Sequence, residues 1–98
     1  MTKNLIRQTT RFQDFVQDLE VGEVETKEDV SVAVYDQYDL ENYIEAVEYS
    51  WKDEKTITVK LPVKQVNQFD RGQFFLTVIA IQNGNVTNPV NCQVEVTQ

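Results

Sequence analysis

Ninety-eight residues, 41% hydrophobic and 26% charged, suffice for one domain, 1–98, with one modest core, since a chain this size hides roughly 60–70% of its unfolded surface. The composition is that of a soluble globular chain rather than a disordered, collagen-like or coiled-coil one. A single cysteine excludes an intramolecular disulfide framework, and a net charge of −7 weighs against nucleic-acid binding, which needs clustered Lys and Arg.

The N-terminal residues hold only Leu5 and Ile6 as adjacent apolar positions, whereas a signal peptide needs an apolar segment of about 7–15. Synthesis in the cytoplasm is expected. Between Thr10 and Leu19 two patterns compete. Phe12, Phe15, Val16 and Leu19 fit a helical stripe, while Thr10, Phe12 and Val16 fit a strand with Asp14 at the same parity; the strand is preferred.

Charge is uneven along the chain. Residues 17–54 carry thirteen acids against Lys27 and Lys52, a balance of −11, and the remainder carries +4. Such a segment forms a solvated acidic face or meets a basic partner.

Val30-Ser31-Val32-Ala33-Val34-Tyr35-Asp36 alternates as a strand, with Val30, Val32 and Val34 inward and Ser31, Ala33 and Tyr35 outward. The following Asp36-Gln37-Tyr38-Asp39-Leu40-Glu41 places acids at positions 1, 4 and 6, not in the 1-3-5 pattern with a sixth-position glycine of a calcium loop. It reads as a loop of solvated acids with Tyr38 exposed. Tyr43 to Trp51 is β-rich, although Glu45 interrupts its aromatic set. Lys55-Thr56-Ile57-Thr58-Val59-Lys60-Leu61 is a half-buried antiparallel strand with Ile57, Val59 and Leu61 inward. Pro62 suits a first helical turn, and Val66 and Phe69 at i, i+3 predict one short helical turn near 62–69.

Gly72 to Val96 predicts a β-hairpin around Asn83-Gly84-Asn85. Its longest apolar run, inside Phe74–Ile81, is far short of the roughly 18–20 residues that span a bilayer. The register decides which side of this double-faced strand is core. A two-residue turn pairs Phe75, Thr77, Ile79 and Ile81 with the apolar set Val86, Val90, Cys92 and Val94; a three-residue turn pairs Phe74, Leu76, Val78 and Ala80 with it. Pro89 places the last strand near an edge. The short strands and scarce helix predict an all-β sandwich or barrel.

The chain has no histidine, which removes the common general base, the usual catalytic triad and most transition-metal sites. Cys92 sits among inward valines as a small core hydrophobe. No glycine-rich phosphate loop occurs. No enzyme, cofactor, metal or small-molecule substrate is expected. The aromatics Tyr35, Tyr38, Tyr43, Tyr49 and Trp51 could form a recognition surface, though core and cross-strand packing accounts for most of them.

Thr10-Arg11-Phe12 in a first strand, Val30–Asp36, Thr56–Pro62, Val66–Gly72 and the final hairpin ending Val94-Glu95-Val96 follow one another in an order that resembles the small immunoglobulin-like virion proteins of tailed bacteriophages, found at necks, head surfaces and tail or baseplate junctions. The resemblance covers about nine-tenths of the chain. It implies an immunoglobulin-like β-sandwich of about seven antiparallel strands, no cofactor, residence in the virion, and binding to other virion proteins in multiple copies. It also implies the register with Phe74, Leu76, Val78 and Ala80 inward, leaving Phe75, Ile79 and Ile81 outward.

The expected function is therefore a structural, non-enzymatic assembly module, with Phe75, Ile79, Ile81, Tyr38, Asp36 and Asp39 as candidate partner-binding residues. Neither nucleic acid nor membrane is an expected partner. The alternative is an acidic phage-encoded inhibitor that mimics nucleic acid toward a basic host protein.

Overall fold

The computed structural model describes residues 2–97 except 25, 37, 46, 70 and 71; expectations that touch Glu25, Gln37, Ala46, Asp70 and Arg71 lie outside the described residues. The elements run β1 (Lys3–Thr10), β2 (Phe15–Glu20), a 3₁₀ turn (Lys27–Asp29), β3 (Val30–Asp36), β4 (Asp39–Ile44), β5 (Glu48–Trp51), β6 (Thr56–Leu61), α1 (Val63–Val66), β7 (Gln73–Gln82) and β8 (Asn85–Thr97). One sheet has the order β1-β8-β7-β3-β4 and the other β2-β6-β5. The fold is an all-β sandwich. Its third, seventh and eighth strands share one sheet and its second, fifth and sixth the other, the division that immunoglobulin-like sandwiches use. Among the described residues eight strands stand where about seven were expected, and β1 runs parallel to β8.

The core fills the space between the sheets with alternating residues: Val30, Val32 and Val34 from β3, Ile57, Val59 and Leu61 from β6, and Phe74, Leu76, Val78 and Ala80 from β7. Phe74 is sealed, its ring edge-on to Phe15 at 5.8 Å and tilted against Phe69 at 5.3 Å. Val66 and Phe69 drop from α1 and its exit into the same core. Asp14 accepts the Val63 N–H at 2.9 Å and Asn67 donates to the Arg11 carbonyl at 3.0 Å. These bonds tie the helical turn to the β1–β2 connection.

Two strand expectations change. The N-terminal strand breaks in two: Arg11 to Gln13 is a turn, Phe12 is exposed, and in β2 it is Phe15 and Leu19 that face inward while Val16 faces out. The Tyr43–Trp51 stretch is two strands in opposite sheets, because the chain crosses between the layers after Ile44. Tyr49 then donates its hydroxyl to the Val30 carbonyl at 2.9 Å, and Trp51 packs on the core beneath the Lys27 ammonium.

The hairpin register combines both expectations. The turn is the two-residue Asn83-Gly84, with Gln82 opposite Asn85; both turn residues have positive φ, as a type I′ turn requires. Near the tip Ile81 faces Val86, but beyond it Val78 faces Val90 while Ala80 faces Thr87. Asn88 and Pro89 thus stand opposite Ile79 alone, a β-bulge. The extra residue switches the parity of β8, so that Phe74, Leu76 and Val78 meet Val94, Cys92 and Val90 inside. Pro89 is in this bulge, just before the β1 ladder begins at Lys3 opposite Val90, and β8 itself is an interior strand.

Candidate protein-interaction face

Because β3, β7 and β8 alternate, everything not committed to the core projects from the outer face of the five-stranded sheet. One register row crosses all five strands. Tyr43 of β4 is opposite Tyr35 of β3, Tyr35 opposite Phe75 of β7, Phe75 opposite Gln93 of β8, and Gln93 beside Ile6 of β1. Four of these five side chains are aromatic or aliphatic and none is charged. Tyr35 and Phe75 stack with ring centroids 5.7 Å apart and 23° between planes, the offset geometry that aromatic quadrupoles favour. Tyr43 is 49% exposed and Ile6 68%. A depression of ≈ 320 Å³ runs beside the stacked pair between Ile6, Tyr35, Phe75, Asn91 and Gln93.

In the next row toward the hairpin tip Ala33 stands beside three polar residues, Thr77, Asn91 and Asn4. The Thr77 hydroxyl donates to Asn91 Oδ1 at 2.7 Å, tying β7 to β8 across this row. Past it come Ile79 and Ile81, the latter opposite Val86, all three exposed. The outward apolar surface is therefore two patches, an aromatic row across the middle of the sheet and an aliphatic patch at the β7–β8 end.

The six residues singled out from the sequence are not gathered into one site. Phe75 belongs to the aromatic row, whereas Ile79 and Ile81 belong to the aliphatic patch, with the Thr77 row between them. Tyr38 and Asp39 lie at the β3–β4 turn, at the opposite end of the sheet from the β7–β8 turn, because β3 and β7 are antiparallel. Tyr38 is 65% exposed, and Asp39 is exposed while accepting the Glu41 N–H. Asp36 overturns its expectation as a solvated acid. It shares the inward parity of Val34, is 2% exposed, and its carboxylate accepts the Tyr38 N–H at 2.8 Å. It shapes the turn and offers no charge to a partner.

Ile6 escaped the sequence reading, because Leu5 and Ile6 are adjacent and give β1 no period of two. Pairing with β8 puts Leu5 on the inner face and Ile6 on the outer.

The acids are partly neutralised where they fall. Lys52 bridges to Asp18 at 2.7 Å, and Lys55 and Lys60 approach Glu23 and Asp14 at 3.6 and 3.9 Å. The Lys52 hydrogen bond, seconded by the Thr58 hydroxyl, lowers the Asp18 carboxyl below the usual aspartate range, and Asp18 in turn raises Lys52. The Asp53 carboxyl is lowered by the Lys55 N–H it accepts. Burial pushes the Cys92 thiol up, away from thiolate reactivity. Among the described residues no group of three or more His, Cys, Asp or Glu is placed to hold a metal ion, and no helix is long and apolar enough to cross a membrane. No protein-family model matches this chain, and no curated protein matches it either. The arrangement offers an uncharged, partly aromatic row across the outer face, suited to another protein surface.

Proposed function

We propose that this protein is a non-enzymatic structural module of a tailed-phage particle that binds a neighbouring virion protein through the outer face of its five-stranded sheet. The aromatic row from Tyr43 through Tyr35 and Phe75 to Ile6 carries this reading. Tyrosine and phenylalanine bury large areas at low entropy cost and are enriched at the centres of interfaces, and here they line up on the side of the sheet that the core does not use. The virion setting rests on the resemblance of the strand order and of the helical turn before Gly72 to small phage β-sandwich proteins. The inhibitor reading draws less support, because Lys52, Lys55 and Lys60 are interleaved with Asp18, Glu23 and Asp14, whereas a nucleic-acid mimic presents unopposed carboxylates.

The experiment is incorporation into particles. A Tyr35→Ser, Phe75→Ser double variant that keeps its β-sheet circular dichroism is expected to be missing from purified particles that contain the wild-type protein. Wild-type protein absent from particles, or a folded double variant incorporated at the wild-type level, would overturn the reading.

A further inference from the structure

The two edges of the five-stranded sheet are opposite in charge. Edge strand β1 carries Lys3 and Arg7 and no acid, whereas edge strand β4 carries Asp39 and Glu41 and no base, with exposed Glu45 directly after it. An edge strand leaves a row of backbone N–H and C=O groups unpaired and able to template another strand. Like charges at both edges would repel further copies. Opposite charges do the reverse.

We propose that β4 of one copy of this chain pairs with β1 of the next, extending the five-stranded sheet from molecule to molecule. The proposal rests on the assembly reading above and names a second copy as one partner. Strand direction permits it. β1 and β8 are parallel, and β8 to β7, β7 to β3 and β3 to β4 are each antiparallel, so β4 runs opposite to β1. A second copy set beside the first without inversion therefore brings its β1 against β4 in antiparallel pairing, which closely spaced ladder bonds favour.

The side chains select a register. If Ile6 of the incoming strand stands opposite Tyr43, Leu5 falls opposite Ile44. Ile6 and Tyr43 are the exposed ends of the outer aromatic row, and Leu5 and Ile44 are the partly buried ends of the inner core. One register thus continues both faces across the junction. A shift by one residue would set each apolar side chain against the wrong face. The contact uses different surfaces on the two partners, so it is heterologous and closes a ring or propagates a filament according to the sheet twist.

The test is sedimentation velocity of the full chain over a range of protein concentrations in low and moderate salt. Wild type is expected to associate in a concentration-dependent manner, and association should weaken as salt screens the edges. Lys3→Glu with Arg7→Glu, and separately Asp39→Lys with Glu41→Lys, should each be monomeric. Mixing the two variants should restore association, since the intact acidic β4 of one meets the intact basic β1 of the other. Restoration also excludes misfolding as the cause of either loss. Lys3→Glu alone, which spares the Arg7 contact to Gln17, should weaken association in the same direction.

A wild type that stays monomeric at the highest concentration in low salt would overturn the proposal, as would variants that associate like wild type. The Tyr35→Ser, Phe75→Ser variant separates the two readings. It should still self-associate, because neither residue is on an edge strand. If it becomes monomeric, copies meet face to face and the edge proposal fails; if it self-associates yet enters particles normally, the outer-face function fails while the edge contact stands.

Discussion

The side-chain amide of Asn88 lies 2.6 Å from the Val78 carbonyl oxygen and 3.1 Å from the Thr77 hydroxyl, filling the gap in the ladder opened by the bulge at Asn88 and Pro89. Proline has no N–H to give, and the asparagine side chain supplies a donor in its place. This bond helps to hold the point at which β8 changes parity. Asn88→Ala is expected to cost about 1–3 kcal/mol, the penalty for leaving a partly buried carbonyl without its partner. A urea melt that shows an unchanged midpoint would remove Asn88 from this role.

The parity switch makes adjacent phenylalanines unequal. Phe74 is fully buried between Phe15 and Phe69, so Phe74→Ala should cost about 3–5 kcal/mol. Among the described residues Phe75 has the Tyr35 ring as its aromatic partner, a contact worth about 0.5–1.5 kcal/mol beyond area. The double variant Phe75→Ser, Ile79→Ser should remain folded with a modestly lowered melting temperature. Unfolding of that variant would mean that the outer face is core.

These consequences were only partly legible in the chain. β3 and β6 were, because Val30, Val32, Val34 and Ile57, Val59, Leu61 alternate without interruption. The inward parity that runs through Val34 also reaches Asp36, and following it one residue further would have placed that carboxylate inside. β1 was not legible: its apolar pair is adjacent, Lys3 and Arg7 share the parity of Leu5, and its place is set by pairing with residues 90–97, at the far end of the chain. Nor does a glycine or proline mark where the chain leaves β4 for the other sheet. The outer row depends on five strands drawn from three separate parts of the sequence, and no local pattern announces it.

Asp18 gives a pH dependence with a definite sign. Its carboxyl is lowered by Lys52 and Thr58, so the contribution of this contact is present above the ordinary aspartate value and is lost as pH falls through the depressed folded value. By NMR the Asp18 carboxyl should titrate below an unperturbed aspartate. Asp18→Asn should be less stable than wild type near neutrality, with the difference shrinking as the solution is acidified and also as salt is added, since both partners are exposed. A difference that grows toward acid pH would contradict the assignment.

Thr9 offers a change in the opposite direction. Its side chain is on the inner face of β1, opposite Val96, and is 3% exposed; its hydroxyl has no hydrogen-bond partner among the described residues. A buried hydroxyl without a partner costs about 1–3 kcal/mol relative to an apolar group of the same shape. Valine keeps the β-branched outline and the strand propensity while removing the polar atom. Thr97 donates to the Thr9 backbone carbonyl, a bond the substitution leaves untouched. Thr9→Val should therefore raise stability by about 1 kcal/mol, read as a higher denaturant midpoint at unchanged slope. A lowered midpoint would show that the hydroxyl is satisfied in solution and that β1 packs less tightly on β8 than its parallel ladder indicates.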